Sequence, residues 1–358
     1  MPAVNQQSDM TSKHYLLPPD ICLTFSGEDY LARQAIEFMF DFCRPLDGPA
    51  KPGDQQVTAR ISINNDYLGA PLPCWIDKQI AGRNTFDHVH AFYGPDGEAA
   101  ALLSNRDGFV CGLLNKEANR IDITLGKTGG EQSMMISPSA IFTPLIQEVL
   151  QRRRHLIFHS AGLRLQDGTG IMVLADSGGG KTTTALSLLR KGASMLADDL
   201  IILTNENSLP VIHGIPEPLN LTAATRSFFP ELQAACCLPA RDGVTDKVVF
   251  DPRTVYGRHC FGAKTPLHVI CFAEVSSGKP SLSQISPQAA LGKLIKGCTF
   301  AFNQRLTRTS GTILFDLASK IPCFSLRTGE NPDFLGNWLQ EQRPATTSLL
   351  RPQMPTGS

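Results

Sequence analysis

The sequence feature that most limits the fold is a glycine-rich turn between two apolar segments, within the stretch VLADSGGGKTTTALSLLRKGASMLADDLIIL at residues 173–203. The run GIMVLA before the turn has the length and composition of a buried strand, and TTTALSLLRK after it is typical of a helix that ends at Gly192. A strand that passes through such a turn into a helix predicts an α/β core.

The turn also has the chemistry of a phosphate-binding loop. Against the pattern of Gly, four residues and then Gly-Lys-Ser/Thr, the window from Ala175 to Thr182 lacks only the first glycine. Glycines let successive backbone N–H groups converge on phosphate oxygens, while Lys181 supplies positive charge and Thr182 can bind magnesium. A glycine-rich turn without function is the alternative, but it would not need Lys-Thr at the helix start. The predicted nucleotide-binding residues are Ser177, Gly178, Gly179, Gly180, Lys181, Thr182 and Thr183.

Two adjacent carboxylates follow at Asp198 and Asp199, after the apolar run ASMLA. Like charges in one cleft oppose joint ionisation, so such a pair is costly unless it binds a metal or accepts a proton. One aspartate would hold magnesium and the other would accept the proton of an attacking hydroxyl, and the spacing leaves open which does which. We take Thr182 and Asp199 as candidate magnesium ligands. A solvated turn is the alternative interpretation.

Charge and cysteine usage limit the classes of partner. The 358 residues include 33 basic and 33 acidic ones, so no net charge favours nucleic acid or an anionic membrane, and a small ligand or a protein is the expected partner. The ten cysteines are scattered without CxxC spacing, as expected of reduced thiols. No apolar run approaches about 18 residues and no signal peptide is evident, which predicts a cytoplasmic location.

The first half of the chain reads as a flexible lead-in at residues 1–19 and an α+β domain at 20–150. This domain would contain an amphipathic helix at YLARQAIEFMFDFC and a mostly antiparallel sheet built from short β-branched or alternating segments. The next expected helix is SPSAIFTPLIQEVLQRRR, capped by Ser137 or Ser139, and the domain boundary is expected within or just before it. We expect this domain to select the substrate or partner.

A second domain at residues 151–342 contains the glycine-rich turn, and the Pro-, Ser- and Thr-rich tail at 343–358 is expected to be disordered. HLIFHSAGLRL and GIMVLA predict two strands joined by a turn, and ASMLADDLIIL a further strand. SPQAALGKLIKGCTFAF, with Ser286 as its cap, and GTILFDLASKI predict helices. Strands and helices that alternate in this way predict an α/β core.

HSAGLRL together with ADSGGGKTTTALSLLRKGASMLADDLIIL resembles the catalytic core of HPr serine kinase/phosphorylase and its relatives, whose P-loop fold is shared with phosphoenolpyruvate carboxykinases. The family pattern is a strand histidine, a glycine-rich loop, a helix, and an Asp-Asp pair after an apolar strand. The residues that match it are His159, Ser177, Gly178, Gly180, Lys181, Thr182, Asp198 and Asp199.

The resemblance implies a P-loop core with a mixed sheet that binds ATP and Mg²⁺ and transfers the γ-phosphate to a hydroxyl of a protein, a peptide or a small alcohol. It implies catalytic roles for His159 and Lys181 beside the two aspartates, and it suggests a homo-oligomer. An additional cation could close over ATP, and Lys247 and Arg258 are the candidates in a loop-like region.

The sequence departs from the family pattern at Ala175, which replaces the first glycine, and at Thr183, where HPr kinases generally carry Glu. The glycine-rich C-terminal signature associated with phosphorylase activity is not found, so the resemblance gives no support to dephosphorylation or to HPr as the acceptor. Two alternatives stay open: a carboxykinase-like enzyme, and a non-catalytic nucleotide-binding regulator that keeps the loop but transfers nothing.

Overall fold

The computed structural model describes residues 13–17, 19–27, 44–46, 55–64, 73–76, 86–105, 108–127, 139–233, 235, 238–239, 247–262, 264–299 and 308–341. The helix predicted at residues 30–43, the cap at Ser137 or Ser139 and the tail at 343–358 lie outside the described residues or side chains. The chain divides into two compact units, with a boundary between Arg153 and Arg154.

Among the described residues, the first unit contains an eight-stranded sheet of order β3-β1-β2-β4-β8-β7-β6-β5 and the helix α1 (Ser139–Arg152), which packs on β6, β7 and β8. Its strands are β1 (Lys13–Leu17), β2 (Ile21–Gly27), β3 (Arg44–Leu46), β4 (Gln55–Asn64), β5 (Phe86–Tyr93), β6 (Ala99–Asn105), β7 (Gly108–Leu114) and β8 (Arg120–Lys127). All pairs are antiparallel except β2–β4 and β4–β8, which confirms a mostly antiparallel sheet. In β4, buried Val57 and Ala59 alternate with exposed Gln56 and Thr58, as a half-buried strand requires.

The sequence places Lys13–Leu17 in a flexible lead-in, whereas the structure shows a strand. The segment pairs with β2 on one side and β3 on the other, and its Tyr15 and Leu17 are buried. Pro18 and Pro19 suggest a linker when the sequence is read locally. The burial of alternate apolar side chains in the sheet decides the outcome instead.

The second unit contains eleven strands and six helices, together with 3₁₀ turns at Pro230–Leu232 and Arg258–Cys260, within the residues that the structure describes. The strands are β9 (Leu156–Arg164), β10 (Gly170–Leu174), β11 (Ser194–Ala197), β12 (Leu200–Glu206), β13 (Leu209–Gly214), β14 (Leu219–Leu221), β15 (Leu238–Pro239), β16 (Val248–Phe250), β17 (Lys264–Glu274), β18 (Ser281–Gln284) and β19 (Cys323–Arg327). The helices are α2 (Lys181–Arg190), α3 (Ala223–Ser227), α4 (Arg253–Tyr256), α5 (Pro287–Gly297), α6 (Arg308–Lys320) and α7 (Phe334–Glu341).

The main sheet of the second unit has the order β10-β9-β12-β13-β17-β19-β18, and β11 also pairs with β9. β10 pairs with β17 as well, so β10, β9, β12, β13 and β17 form a closed ring of strands. The long strand β17 allows this closure because its start pairs with β13 and its later residues pair with β10 and β19. The β10–β17 and β17–β19 pairs are parallel and the others antiparallel, so the predicted α/β fold with a mixed sheet is confirmed at that level.

The predicted helices at the end of the chain are confirmed as α5 and α6, and the Ser286 hydroxyl caps α5 by accepting the backbone N–H of Ala289. The cysteines of the described segments are thiols that form no disulfide with one another, as predicted. Within those same segments, no helix combines the length and the apolar character needed to cross a membrane.

Replacement of Leu17 by alanine tests whether β1 belongs to the folded sheet. Leu17 is 2% exposed, so we expect Leu17→Ala to lower the free energy of unfolding by about 2–5 kcal/mol, measured by urea denaturation. Gln56→Ala, at an exposed position of β4, is the control and should change it by less than about 0.5 kcal/mol. If the Leu17→Ala variant is as stable as the wild type, this segment is not part of the folded sheet and is a lead-in, as the sequence predicts.

Candidate functional site

The glycine-rich turn joins β10 to α2, as the sequence predicts, and each of its glycines is required for a physical reason. Gly178 and Gly180 have φ angles of 75° and 92°, in the left-handed region that side chains disfavour. A Cβ on Gly179 would lie 2.9 Å from the backbone oxygen of Asp176, which accepts the Gly179 N–H at 2.8 Å. Ala175, which replaces the first glycine of the motif, is partly buried.

The turn leaves the start of α2 without a side-chain cap. Gly180 occupies the N-cap position and has no side chain to cap the helix, and no side-chain hydrogen bond to the first backbone N–H groups is found among the described residues. Those N–H groups and the helix dipole make this end of α2 electropositive. A bound anion would satisfy them.

Lys181, the first residue of α2, joins the turn to the two aspartates. Its side chain is 9% exposed, and its Nζ lies 2.5 Å from Asp199 Oδ1 and 3.3 Å from Asp198 Oδ1. The same ammonium donates to the backbone oxygen of Asp198. The lysine therefore neutralises part of the negative charge that the adjacent carboxylates concentrate here.

Asp198 is the buried member of the pair. The hydroxyl of Thr182 donates to Asp198 Oδ2 at 2.6 Å. Oδ1 is buried and accepts no well-aligned hydrogen bond from a described residue, although Lys181 Nζ lies 3.3 Å away. Burial raises the pKa of Asp198, against the opposite influence of Lys181 and Thr182. Apart from its ion pair with Lys181, Oδ1 thus has no well-aligned hydrogen-bond donor among the described residues, which leaves it able to accept a cation.

A break in the strand places the aspartates at the site. ASMLADDLIIL reads as one strand in the sequence, but the structure divides it into β11 and β12, both antiparallel to β9. β11 contains an irregularity between Met195 and Ala197 and ends at Ala197, and pairing with β9 resumes with Leu200 opposite His159. The carboxylates therefore lie at the interruption rather than in the middle of a ladder.

Gly214, at the end of β13, allows the chain to close against this break. A Cβ there would lie 2.3 Å from both the backbone carbon and oxygen of Leu196. Backbone atoms cannot move aside as a flexible side chain can, so only glycine fits this approach. The position of the Asp198–Asp199 turn thus depends on a strand that comes later in the chain.

Asp199 and His159 form the open side of the site. The Asp199 side chain is 39% exposed and that of His159 is 57% exposed, with 3.9 Å between Asp199 Oδ1 and His159 Nδ1. The structure therefore brings His159 close to Asp199, one of the two aspartates. A substrate from solvent can reach Asp199 more readily than it can reach Asp198.

Glu217 is a site residue that the sequence interpretation missed. It lies partly buried between β13 and β14, and burial raises the pKa of its carboxyl to about 8, with the negative charges of Asp199 and Asp198 acting in the same direction. Lys181 opposes this rise. The sequence signal was a glutamate between two prolines directly after an apolar strand, in GIPEPLNL.

The remaining predicted residues divide into those at the loop and those elsewhere. Ser177 is exposed on the turn, while the Thr183 hydroxyl lies 3.1 Å from that of Thr225, on α3. Lys247 is exposed before β16 and Arg258 is exposed in a 3₁₀ turn. In the part of the chain that the structure describes, neither cation makes a hydrogen bond or an ion pair with the turn or the aspartates.

No family model matches the sequence, and no curated protein is significantly similar to it. Among solved structures, the chain is weakly similar to the HPr(Ser) kinase/phosphatase from Coxiella burnetii, with 12% sequence identity and a TM-score of 0.30. The match covers 54% of this chain and 98% of that chain. Similarity at this level identifies neither a reaction nor a substrate.

The elevated pKa of Glu217 predicts a pH-dependent effect on stability. Its carboxyl titrates near 4.5 when unfolded and near 8 when folded, so the folded state holds the proton and loses stability as the pH rises through that interval. Glu217→Gln removes the titration, and its melting temperature relative to the wild type should rise between about pH 5 and pH 8. The melting curves are measured in EDTA without nucleotide, so that no bound cation stabilises the carboxylate.

Glu330→Gln is the matched control, because Glu330 is exposed on a turn. Its melting temperature relative to the wild type should not change over the same pH range. A constant offset in both variants would show that the Glu217 carboxyl does not hold its proton in the folded protein.

Proposed function

We propose that the chain is a phosphotransferase that moves the γ-phosphate of MgATP to a hydroxyl of a protein, a peptide or a small alcohol. The observation that carries the proposal is the position of Lys181, whose ammonium lies between Asp198 and Asp199 directly behind a three-glycine turn. A lysine, a glycine turn, a helix N-terminus and two carboxylates are the parts that phosphoryl transfer requires.

The start of α2 supports phosphate binding. The N–H groups that no side chain caps would donate to phosphate oxygens, and the two left-handed glycines give the turn the curvature of an anion-binding nest. Lys181 would neutralise charge on the β- and γ-phosphates. These groups act as a P-loop in the proposed mechanism.

Thr182 and Asp198 fit a magnesium ion better than Thr182 and Asp199, the pair favoured by the sequence. A hydroxyl that donates its proton to Asp198 keeps its lone pairs for a cation, and Asp198 Oδ1 is buried without a hydrogen bond. No three His, Cys, Asp or Glu side chains of the described residues form a cluster that could hold a metal alone. Magnesium commonly uses one or two carboxylates and completes its shell with phosphates and water, and it would supply charge neutralisation on the phosphates.

Asp199 suits the role of general base, because it is more exposed than Asp198 and lies beside His159. In the proposed reaction the acceptor oxygen forms a bond to the γ-phosphorus while the bond from that phosphorus to the bridging β,γ-oxygen breaks, and ADP leaves. The proton of the acceptor hydroxyl passes to Asp199. His159 would orient that carboxylate from the solvent side, and the first unit would select the acceptor.

Substitution of Asp199 separates binding from transfer. Asp199→Asn should reduce transfer from γ-labelled ATP by about 10²–10⁴-fold, because the proton acceptor is lost. It should leave MgATP binding within a few-fold of the wild type, because Lys181 loses its ion pair with Asp199 but keeps the one with Asp198. Lys181→Ala should weaken binding itself. Label transfer is followed in lysate from the source cells, and the nucleotide affinity is measured by calorimetry on the purified full chain.

Asp316→Asn, on the exposed face of α6, is the matched control and should leave both quantities unchanged. Tight binding by the wild type with no labelled product would replace the kinase proposal with a nucleotide-binding regulator. If Asp199→Asn transfers phosphate at the wild-type rate, Asp199 is not the general base.

The two adjacent threonines provide a test of the magnesium assignment. Thr182→Ala should reduce by at least about tenfold the gain in ATP affinity that magnesium confers, since its hydroxyl would help to hold the ion and donates a hydrogen bond to Asp198. Thr183→Ala should keep that gain, because the Thr183 hydroxyl contacts Thr225 instead. ATP titrations with magnesium and with EDTA measure the effect, and equal losses in both variants would contradict the assignment.

A further inference from the structure

The C-terminal end of α5 lies against the strand that leads into the glycine turn. A Cβ on Gly297 would lie 2.3 Å from Leu174 Cδ2, so the missing side chain lets the last turn of α5 approach the final residue of β10. The last side chains of α5 therefore lie beside the turn, although they are more than 100 residues away from it in sequence.

Two lysines of α5 are directed to this region. Lys296 Nζ lies 2.7 Å from both Oδ1 and Oδ2 of Asp176, the second residue of the turn. Lys293, one helical turn earlier, lies 5.6 Å from the ring centre of Phe272, which pairs with Leu174 across β17 and β10. The hydrogen bond from Lys296 lowers the pKa of Asp176, and the charge of Lys293 acts in the same direction.

The Lys296–Asp176 ion pair contributes little to the stability of the fold, so Lys296 can exchange Asp176 for another anion at low cost. Both side chains are exposed, 69% and 74%, and exposed ion pairs are weak because water solvates each charge. A carboxylate within a phosphate-binding turn also opposes a polyanionic ligand. A phosphate chain carries more charge than one carboxylate and would be the stronger partner for the ammonium.

We propose that Lys296 leaves Asp176 and contacts the phosphates when a nucleotide binds, so that Asp176 competes with the nucleotide for the same lysine. The proposal rests on the proposed nucleotide site. Lys293 adds a second positive charge on the same face of α5, because residues three apart on a helix are neighbours. The helix thereby supplies cations to the turn that the glycine-lysine motif does not contain.

Competition predicts opposite effects of removing the two partners. Lys296→Ala should weaken MgATP binding about tenfold, because a phosphate contact is lost, while Asp176→Asn should strengthen it about threefold, because the lysine is released. In the Lys296→Ala background, Asp176→Asn should strengthen MgATP binding less than it does in the wild type. No lysine remains to be released there, and the only gain left comes from removal of the Asp176 charge. If the ion pair only maintains the conformation of the turn, both Lys296→Ala and Asp176→Asn should weaken MgATP binding.

The test is calorimetry of MgATP and MgADP binding to the full chain for the wild type, both single variants and the double variant. Lys320→Ala is the matched control, because Lys320 is equally exposed and pairs with Asp316 on α6; its affinities should equal those of the wild type. Lys296→Gln, which keeps most of the side-chain length, should repeat the loss, and circular dichroism checks that each variant folds.

The outcomes separate the two proposals. Binding that is lost in Lys181→Ala but unchanged in both Lys296→Ala and Asp176→Asn would overturn the exchange and leave the nucleotide site intact. Weaker binding in both single variants would also overturn it. Wild-type protein that binds neither MgATP nor MgADP would overturn the nucleotide site, and the exchange with it.

Discussion

The candidate site depends on one electrostatic arrangement, the pairing of Lys181 with two adjacent aspartates. Neighbouring carboxylates repel each other, and Asp198 is almost fully buried, so the pair is tolerable only with a cation close by. The lysine comes from the first turn of α2 and the aspartates from a break between two strands. Their meeting fixes the glycine turn, the helix and the strand break relative to one another.

The different roles that we propose for the two aspartates are based on their different burial. Asp198 is held by the Thr182 hydroxyl and keeps one oxygen without a hydrogen bond, while Asp199 stays open to solvent beside His159. A buried carboxylate suits a cation and an exposed one suits an incoming substrate. Glu217, with its raised pKa, adds a third carboxyl whose protonated form avoids a further like charge.

The local patterns of the sequence were sufficient for most of the elements that carry the site, but not for the break between β11 and β12. The β10-turn-α2 unit, the strand of His159 and the helices α5 and α6 follow from apolar runs, glycines and a serine cap, all of which act between neighbouring residues. The prediction for β1 is wrong because the two prolines that follow it are typical of a linker. Its place between β2 and β3 depends on long-range strand pairing, which a local sequence pattern does not predict.

The sequence by itself determined which residues are available for the proposed phosphate site and the proposed transfer, because glycine, lysine, threonine and aspartate have these capacities in any context that brings them together. Only the tertiary structure decided their partners: the break that separates β11 from β12, the closure of Gly214 against Leu196, and the arrival of Glu217 and Lys296 from distant segments. Backbone contacts and charges across space set those positions, and a local sequence pattern carries no information about them.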